Sequence, residues 1–326
     1  MFLLSATEIT WIVIASVLGF LLISLVVGVI LTYQVAKVIY FKLFVRREGI
    51  WGRQCSDETV DYHLDMYNQG LEWATKNKEH AKEVYIKSND GLALFGEFYD
   101  FGYKTTSIIT PGRSEALTYS YFYAKGYKDI KSNVLVVDQR GHGKSEGTYS
   151  TAGIKEADDL LLWSKYLHDE LGQESIFLHG ICVGSSASVI AATRKDRPNY
   201  IKAVIVDSGF INLTEMIRTH TIDYGKPTFP VVYEMNHWFK KYAGVDITKT
   251  TMQKEIKKLD LPLLMVHTKV DKFAYAKYAQ GLFDSCPSKD KEIHFFEDGV
   301  HSHLRYYHPE EYDKLLKGFF TKYDAK

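Results

Sequence analysis

The sequence predicts an α/β protein whose mostly parallel, doubly wound sheet is preceded by one membrane-spanning helix. Strand and helix patterns alternate from residue 81 to the end of the 326-residue chain, which is typical of a parallel sheet covered by helices. An uncharged apolar run near the N-terminus is long enough to cross a bilayer. The expected organisation is a transmembrane anchor at 1–34, a juxtamembrane helical linker at 35–80 and a globular domain at 81–326.

Charge and cysteine content argue against several classes of function. The chain has 40 Lys+Arg and 40 Asp+Glu residues, so its net charge is near zero, whereas a nucleic-acid partner requires a basic face. The three cysteines, Cys55, Cys182 and Cys286, have no spacing that indicates disulfides or a metal site. We therefore expect no nucleic-acid partner, no cofactor, no metal and no obligate protein partner.

The first predicted element is a single membrane-spanning helix. Residues 11–31 carry no charge, and Trp11 and Tyr33 flank them, as aromatic residues do at membrane interfaces. A cleaved signal peptide fits less well, because no basic residue precedes the run and no small-x-small cleavage site follows it. The basic residues after the span are Lys37, Lys42, Arg46 and Arg47. The positive-inside rule then places the globular domain on the cytoplasmic side of the cell membrane.

The linker is expected to be helical in two parts. Residues 35–47 alternate apolar and basic side chains, so they either extend the membrane helix or lie along the membrane surface. Residues 57–79 have apolar side chains at helical spacing, with acidic residues in the first turn and lysines in the last. That pattern predicts an amphipathic packing helix, to which we assign no chemistry.

The globular domain is expected to begin with a hairpin around Asn89-Asp90-Gly91. Further strands are predicted at 107–110, 133–138, 175–179, 201–207, 261–267 and 292–296. Helices are predicted at 115–125, 153–171, 186–192, 273–283 and 310–321. The stretch between the strands 201–207 and 261–267 is aromatic-rich and has no strand pattern, so we expect a helical cap at about 210–258 over the ligand-binding edge of the sheet. An apolar inner face of this cap would suit a lipid-like acyl group.

The central motif is Gly180-Ile181-Cys182-Val183-Gly184, which follows an apolar strand pattern and precedes a helix of small residues. A strand, a G-x-nucleophile-x-G turn and a helix together form a nucleophile elbow. Only glycine fits on either side of the reactive residue, which is held in a strained backbone conformation. The usual nucleophile at this position is Ser, and here it is Cys182.

A thiol nucleophile needs a base, and the base needs a carboxylate that orients it. In proteins with such an elbow the order along the chain is nucleophile, acid, histidine. Asp271 follows a predicted strand, and His301 lies on a Gly-containing loop after the last one, so we predict a triad with Cys182. Asp207 is the alternative acid. His303 is the alternative base, although we expect it at the surface or at the start of a helix.

The oxyanion of an acyl-transfer reaction needs two preorganised N–H donors. One is predicted to be the backbone amide of Val183, at the N-terminus of the helix after the nucleophile. The other is predicted to come from the loop 110–114, where Gly112 lets the backbone turn and Arg113 supplies the N–H group. A simple Pro-Gly turn is the alternative interpretation of that loop.

From about residue 81 to 322 the chain resembles the α/β-hydrolase superfamily, and more narrowly its bacterial serine aminopeptidase-like and monoacylglycerol-lipase-like members. The blocks that carry the resemblance are Asp90-Gly91, Pro111-Gly112-Arg113, the D-x-R-G-x-G-x-S motif of 138–145, the elbow, and the loops of Asp271 and His301. The resemblance implies that Asp138 and Arg140 brace the loop beside the elbow. The family usually has His-Gly in place of Pro111-Gly112, a change that a backbone donor should tolerate.

The replacement of Ser by Cys182 leaves three hypotheses. Some superfamily members, such as dienelactone hydrolases, use Cys, and because a thiol is more acidic than a hydroxyl, a thiolate–imidazolium pair forms readily. The first hypothesis is therefore a membrane-anchored hydrolase of carboxylic esters or thioesters that takes a small-molecule or lipid-like acyl substrate. The second is a peptidase of the same fold. The third is a catalytically silent binding protein at the membrane, with a degenerate elbow.

Overall fold

The computed structural model describes residues 4–46, 60–113 and 115–323. They form one eight-stranded sheet in the order β1-β2-β4-β3-β5-β6-β7-β8. The strands are β1 Ala81–Lys87, β2 Ala93–Tyr99, β3 Thr105–Thr110, β4 Asn133–Val137, β5 Ser175–Ile181, β6 Ile201–Asp207, β7 Leu263–Thr268 and β8 Lys291–Phe296. β2 pairs antiparallel with β1 and β4, and the other neighbouring strands are parallel. The predicted fold class is confirmed.

Helices pack on both faces of this sheet. They are α1 Ala6–Phe44, α2 Asp61–Lys76, α3 Tyr121–Lys128, α4 Ile154–Asp169, α5 Val183–Ala192, α6 Leu213–Asp223, α7 Val231–Trp238, α8 Met252–Glu255, α9 Ala276–Ser285, α10 Leu304–Tyr307 and α11 Pro309–Tyr323. Successive strand side chains point to opposite faces. On β5, Phe177 therefore packs with α11, while Ile176 and Leu178 pack in a second apolar cluster with α4 and α5.

The predicted helix at 115–125 starts later than its sequence pattern indicates. Residues Leu117–Ser120 form a 3₁₀ turn, and α3 begins at Tyr121. The N–H of Leu117 donates to Oδ1 of Asp138 at 2.7 Å. A distant carboxylate thus holds the backbone where the local pattern alone predicts a regular helical turn.

α1 is one continuous helix of 39 residues. Its most apolar 18-residue window has a mean hydropathy of 2.9, and by length and composition it is the one described helix that could cross a membrane. It passes residue 34 without a break, so residues 35–44 extend it and do not form a separate surface helix. The division of the chain at 34 and 80 stays a prediction.

The C-terminal part of α1 packs against the globular domain. Residues 6–27 are exposed apart from Gly19, whereas Ala36, Tyr40 and Phe44 are buried. The ring of Tyr40 lies 5.0 Å from that of Phe239, which follows α7. The C-terminal end of α1 is therefore part of the packed domain, whereas its N-terminal part is exposed.

The segments predicted as an amphipathic helix and as a cap are both helical. α2 packs closely on α3, since a Cβ on Gly70 would meet the backbone of Phe122 at 3.0 Å. The predicted start of α2 at 57–59 lies outside the described residues. Residues 208–260, all of them described, contain α6, α7 and α8 and no strand.

Candidate active site

Cys182 occupies a strained turn between β5 and α5. Its φ of 53° and ψ of −108° are rare for a residue with a side chain. The glycines on either side make the turn possible, because a Cβ on Gly180 would lie 2.1 Å from the carbonyl oxygen of Gly184. A Cβ on Gly184 would lie equally close to the carbonyl oxygen of Thr110. The geometry is that of the elbow predicted from the sequence.

His301 and Asp271 meet beside this turn. Nδ1 of His301 lies 2.8 Å from Oδ2 of Asp271. The other carboxylate oxygen, Oδ1, accepts the backbone N–H groups of Phe273 and Ala274, each at 2.7 Å. The backbone of the loop after β7 therefore holds the carboxylate of Asp271 in the position from which it orients the imidazole of His301. The carboxylate acceptor fixes the proton of the imidazole on Nδ1.

The other ring nitrogen of His301 is left for the nucleophile. Nε2 is buried and makes no hydrogen bond among the described residues. Burial alone would lower the pKa of His301, but its interactions with Cys182 and with the carboxylate of Asp271 raise that pKa well above its ordinary value. Burial likewise opposes ionisation of Asp271, yet its hydrogen bond to His301 holds the pKa of the carboxyl below the usual value. The surroundings therefore favour a protonated imidazole at His301 and an ionised carboxylate at Asp271.

A cavity of about 370 Å³ opens over these groups. The predicted site residues that line it are Cys182, His301, Arg113 and Val183. Asp271 is buried behind His301 and reaches the cavity only through that ring. Among the described residues no three His, Cys, Asp or Glu side chains are grouped so that they could hold a metal ion.

Hydrogen bonds to Glu115, Gln139 and Leu43 hold the loop that is predicted to bind the oxyanion. The N–H of Gly112 donates to Oε2 of Glu115 at 3.0 Å, and the carbonyl of Pro111 accepts Nε2–H of Gln139 at 2.5 Å. The guanidinium of Arg113 donates to the carbonyl of Leu43 at 3.0 Å. On the opposite side, Val183 begins α5, so its N–H has no acceptor within the helix.

The two alternative site residues are engaged elsewhere. Asp207 accepts hydrogen bonds from Tyr312 and Ser208, and its burial raises its pKa to about 6. His303 is the N-cap residue of α10, so of the two expected positions it takes the start of a helix, and it is buried and not at the surface. Its Nε2 bonds the hydroxyl of Tyr119 at 2.7 Å, and burial lowers its pKa to about 3. Neither residue is placed as well as Asp271 and His301 for proton transfer.

Several cavity residues were not expected from the sequence. Glu115 lies three residues after Gly112, and a carboxylate following a Pro-Gly turn could have drawn attention to it. Tyr62 and His63 come from α2, to which no chemistry was assigned, and the ring of His63 stacks on that of His303 at 4.4 Å. Tyr62 and His63 line the cavity because of the way α2 packs on the domain, and no local sequence pattern predicts that packing.

The D-x-R-G-x-G-x-S block braces the loop next to the elbow. Asp138 accepts the backbone N–H of Lys144 at 2.8 Å. Arg140 forms two hydrogen bonds with Asp159, at 2.6 and 2.7 Å, and one with Asp90 at 2.9 Å. These contacts match the supporting roles that the resemblance implies.

Comparison with known proteins identifies the fold. A family model described as "alpha/beta hydrolase fold" matches residues 120–242. The esterase Pf2001 of Pyrococcus furiosus superposes with a TM-score of 0.62 at 20% identity, covering 77% of this chain and 95% of that one. The chain therefore has the α/β-hydrolase fold. The α/β-hydrolase GrgF of a Penicillium species also superposes, with a TM-score of 0.56 at 17% identity over 76% of this chain and 99% of that one.

Sequence relatives of this chain are distant. Protein Bem46 of Schizosaccharomyces pombe is 27% identical over 183 residues, which is 54% of each chain. The uncharacterised protein YqkD of Bacillus subtilis is 25% identical over 222 residues, 66% of this chain and 70% of that one. The chain thus matches only about half the length of Bem46. The narrower likeness to serine aminopeptidase-like and monoacylglycerol-lipase-like enzymes stays a prediction.

Proposed function

We propose that this α/β-hydrolase cleaves carboxylic esters or thioesters through Cys182, His301 and Asp271. The observation that carries the proposal is the 2.8 Å bond between His301 and Asp271, next to the cavity that Cys182 lines. The strained backbone of Cys182 adds support, because strain of this kind concentrates at functional sites. The esterase among the structural neighbours is in keeping with this reaction.

The proposed reaction follows the proton positions of the site. Nε2 of His301 takes the thiol proton of Cys182, and the thiolate attacks the substrate carbonyl. The backbone N–H groups of Val183 and Arg113 stabilise the resulting oxyanion. The imidazolium then protonates the leaving alcohol or thiol, which leaves a thioester on Cys182. Water, deprotonated by His301, hydrolyses that thioester and restores the enzyme, while Asp271 stabilises the imidazolium throughout.

A thiol nucleophile favours esters and thioesters over amides. The tetrahedral intermediate can expel either the substrate's leaving group or the thiolate of Cys182. An alkoxide that His301 protonates, or a thiolate, competes well in that step, whereas an amine competes poorly. A peptidase of the same fold and a catalytically silent binding protein are therefore the alternatives, and an assay with ester substrates tests the proposed activity against both.

We also propose that α1 anchors the enzyme in the cell membrane with its catalytic domain in the cytoplasm. The exposed residues 6–27 span about 33 Å at 1.5 Å per residue, close to the thickness of the hydrocarbon core. Lys37, Lys42 and Arg46 follow on the domain side. Digestion of the domain by protease added outside intact cells would contradict this orientation.

The reaction is tested with p-nitrophenyl esters of several chain lengths. We expect turnover by the wild type, none by Cys182→Ala and reduced turnover by Cys182→Ser. His301→Ala should lose turnover, and His303→Ala, checked for folding by circular dichroism, should keep it. Cys286 is the internal control for iodoacetamide, because it is buried and its burial raises its pKa. If no ester is cleaved and Cys182 is alkylated no faster than Cys286 or Cys55, the proposal fails.

A further inference from the structure

A second cavity, of about 810 Å³, adjoins the catalytic one. α1 forms one wall with Val35, Ile39 and Leu43, and α6 forms another with Ile217 and Thr221. The side chains that line both cavities are Phe44, Arg113, Met216 and Phe273. The apolar space along the extension of the membrane helix therefore leads to the side chains that surround Cys182.

With α1 as the proposed anchor, one end of this cavity lies where the helix leaves the membrane. Thr32, the first residue of α1 in the cavity wall, stands one to two helical turns beyond the last residue of the exposed span, 6–27. α7 and the π-helical turn Phe239–Ala243 that follows it run alongside α1 in the same direction, because Tyr33 bonds His237 at 2.8 Å and the ring of Tyr40 lies 5.9 Å from that of Tyr242. The segment that precedes α7 must therefore lie toward the membrane.

That preceding segment exposes aromatic side chains. Tyr224 is 78% exposed and Phe229 is 72% exposed, and Tyr233 in the first turn of α7 is 69% exposed. The rings of Phe229 and Tyr233 are 5.9 Å apart. Aromatic residues favour the interface between lipid and water. Tyr224 also lines the second cavity. With α1 anchored as proposed above, this aromatic surface and the adjoining cavity wall face the bilayer together.

α1 is also fixed to the domain more firmly than a simple tether requires. Arg46, just after the helix, donates to the carbonyls of Ser145 and Gly143, each at 2.7 Å. The carbonyl of Leu43 accepts the guanidinium of Arg113 at 3.0 Å. These bonds set the position of the α1 wall relative to the loop beside Cys182.

We propose that the second cavity holds the acyl chain of a membrane amphiphile, which enters from the bilayer between α1 and α6. α1 is then both the anchor and a wall of the substrate site. The ester or thioester carbonyl reaches Cys182 past Phe44 and Met216, while the chain lies along Val35 and Ile39. Every methylene group buried there adds affinity, so long acyl chains are favoured over short ones. This inference rests on the proposed function and names its substrate class.

The test compares two tryptophan variants of the full chain in nanodiscs. Val35→Trp fills the cavity, and Val38→Trp is the matched control, because Val38 is 64% exposed and does not line it. For a lauroyl ester, Val35→Trp should lower kcat/KM about tenfold, equivalent to about 1.4 kcal/mol. For an acetyl ester it should change kcat/KM less than about twofold. Val38→Trp should match the wild type with both esters.

Other results separate failure of the cavity from failure of the chemistry. If Val35→Trp and Val38→Trp behave alike, or if Val35→Trp slows both esters equally, the acyl cavity is wrong and the hydrolase stands. If the wild type cleaves neither ester, the hydrolase is wrong. In that case a bilayer amphiphile with a photoreactive group in its acyl tail tests whether the second cavity binds an acyl chain, independently of any hydrolysis. It should label residues 35–43 and α6, and labelling confined to residues 6–27 would overturn the proposal.

Discussion

Nη1 of Arg113 donates a hydrogen bond to the carbonyl oxygen of Leu43 across 3.0 Å, which ties the loop beside Cys182 to the last turn of α1. The last four carbonyl groups of a helix accept no hydrogen bond from within the helix, and the helix dipole attracts a cation to that end. The C-terminal end of α1 and the loop proposed to hold the oxyanion are therefore linked directly.

Removing this link should lower the rate more than substrate affinity. Arg113→Ala leaves its own backbone N–H in place but loses a charged hydrogen bond, worth about 1.5–3 kcal/mol. We expect kcat for an acetyl ester to fall with little change in KM, and Arg113→Lys to restore part of it. The measurement is steady-state kinetics with a thermal melt of each variant. A kcat equal to that of the wild type would show that the link has no positioning role.

Asp271→Asn should reduce esterase activity by about a hundred- to ten-thousand-fold, since the amide no longer holds the reactive tautomer of His301. It should also lower the pKa of His301, because the carboxylate that raises it is lost. The pH profile of iodoacetamide alkylation at Cys182 reports this change directly. Asp271→Glu keeps the charge and is the control. An unchanged alkylation profile in Asp271→Asn would contradict the assigned role.

His142 should make the protein less stable as the pH falls. Burial lowers its pKa to about 4, with Arg113 and Arg46 contributing, although its bond to the carbonyl of Arg140 opposes the shift. Below the unfolded pKa of about 6.5, the unfolded chain binds a proton that the folded chain does not. The contribution of neutral His142 to the free energy of unfolding is fully present above that pH. It falls by about 1.4 kcal/mol per pH unit as the pH drops from about 6.5 to about 4.

The matched variant is His142→Asn, whose amide can still donate to Arg140. Urea unfolding at several pH values should show that the free energy of unfolding of the wild type declines more steeply with falling pH than that of the variant. Above about pH 6.5 the two should differ by a constant amount. Parallel curves between pH 6.5 and 4 would show that His142 is not buried in its neutral form.

The elbow should not tolerate a side chain at Gly184. The Cβ of Gly184→Ala would lie 2.1 Å from the carbonyl oxygen of Thr110, so the loop after β3 must move. We expect a loss of about 3 kcal/mol or more in stability. Gly281→Ala in α9 meets nothing within 4 Å and should stabilise by about 0.5–1 kcal/mol. Equal melting temperatures for these two variants would refute the tight packing of the turn.

Local patterns predict the parts of this fold that local interactions decide. The parallel strands are continuous apolar runs, and the elbow is marked by Gly180 and Gly184, so both could be found in the sequence. Asp271 and His301 could be found because they follow predicted strands in the expected order. The 2.8 Å bond between them is a geometric result that this order alone does not give.

Contacts between distant elements could not be predicted in the same way. Phe44 and His63 line the cavity because α1 and α2 pack back onto the domain, which no periodicity indicates. His303 follows His301 by two residues and looks equivalent in sequence. Its burial against Tyr119 and His63 sets it apart, and both partners come from other parts of the chain.

The most direct test of the account is the acyl-enzyme itself. The full-length protein is mixed with a p-nitrophenyl ester, quenched in acid within the first turnovers, digested and analysed by mass spectrometry. We predict the mass of one acyl group on the peptide that contains Cys182, and accumulation of this adduct in the wild type but not in Cys182→Ala. Ester cleavage by Cys182→Ala at the wild-type rate, with no acyl group on Cys182 of the wild type, would contradict the proposed mechanism.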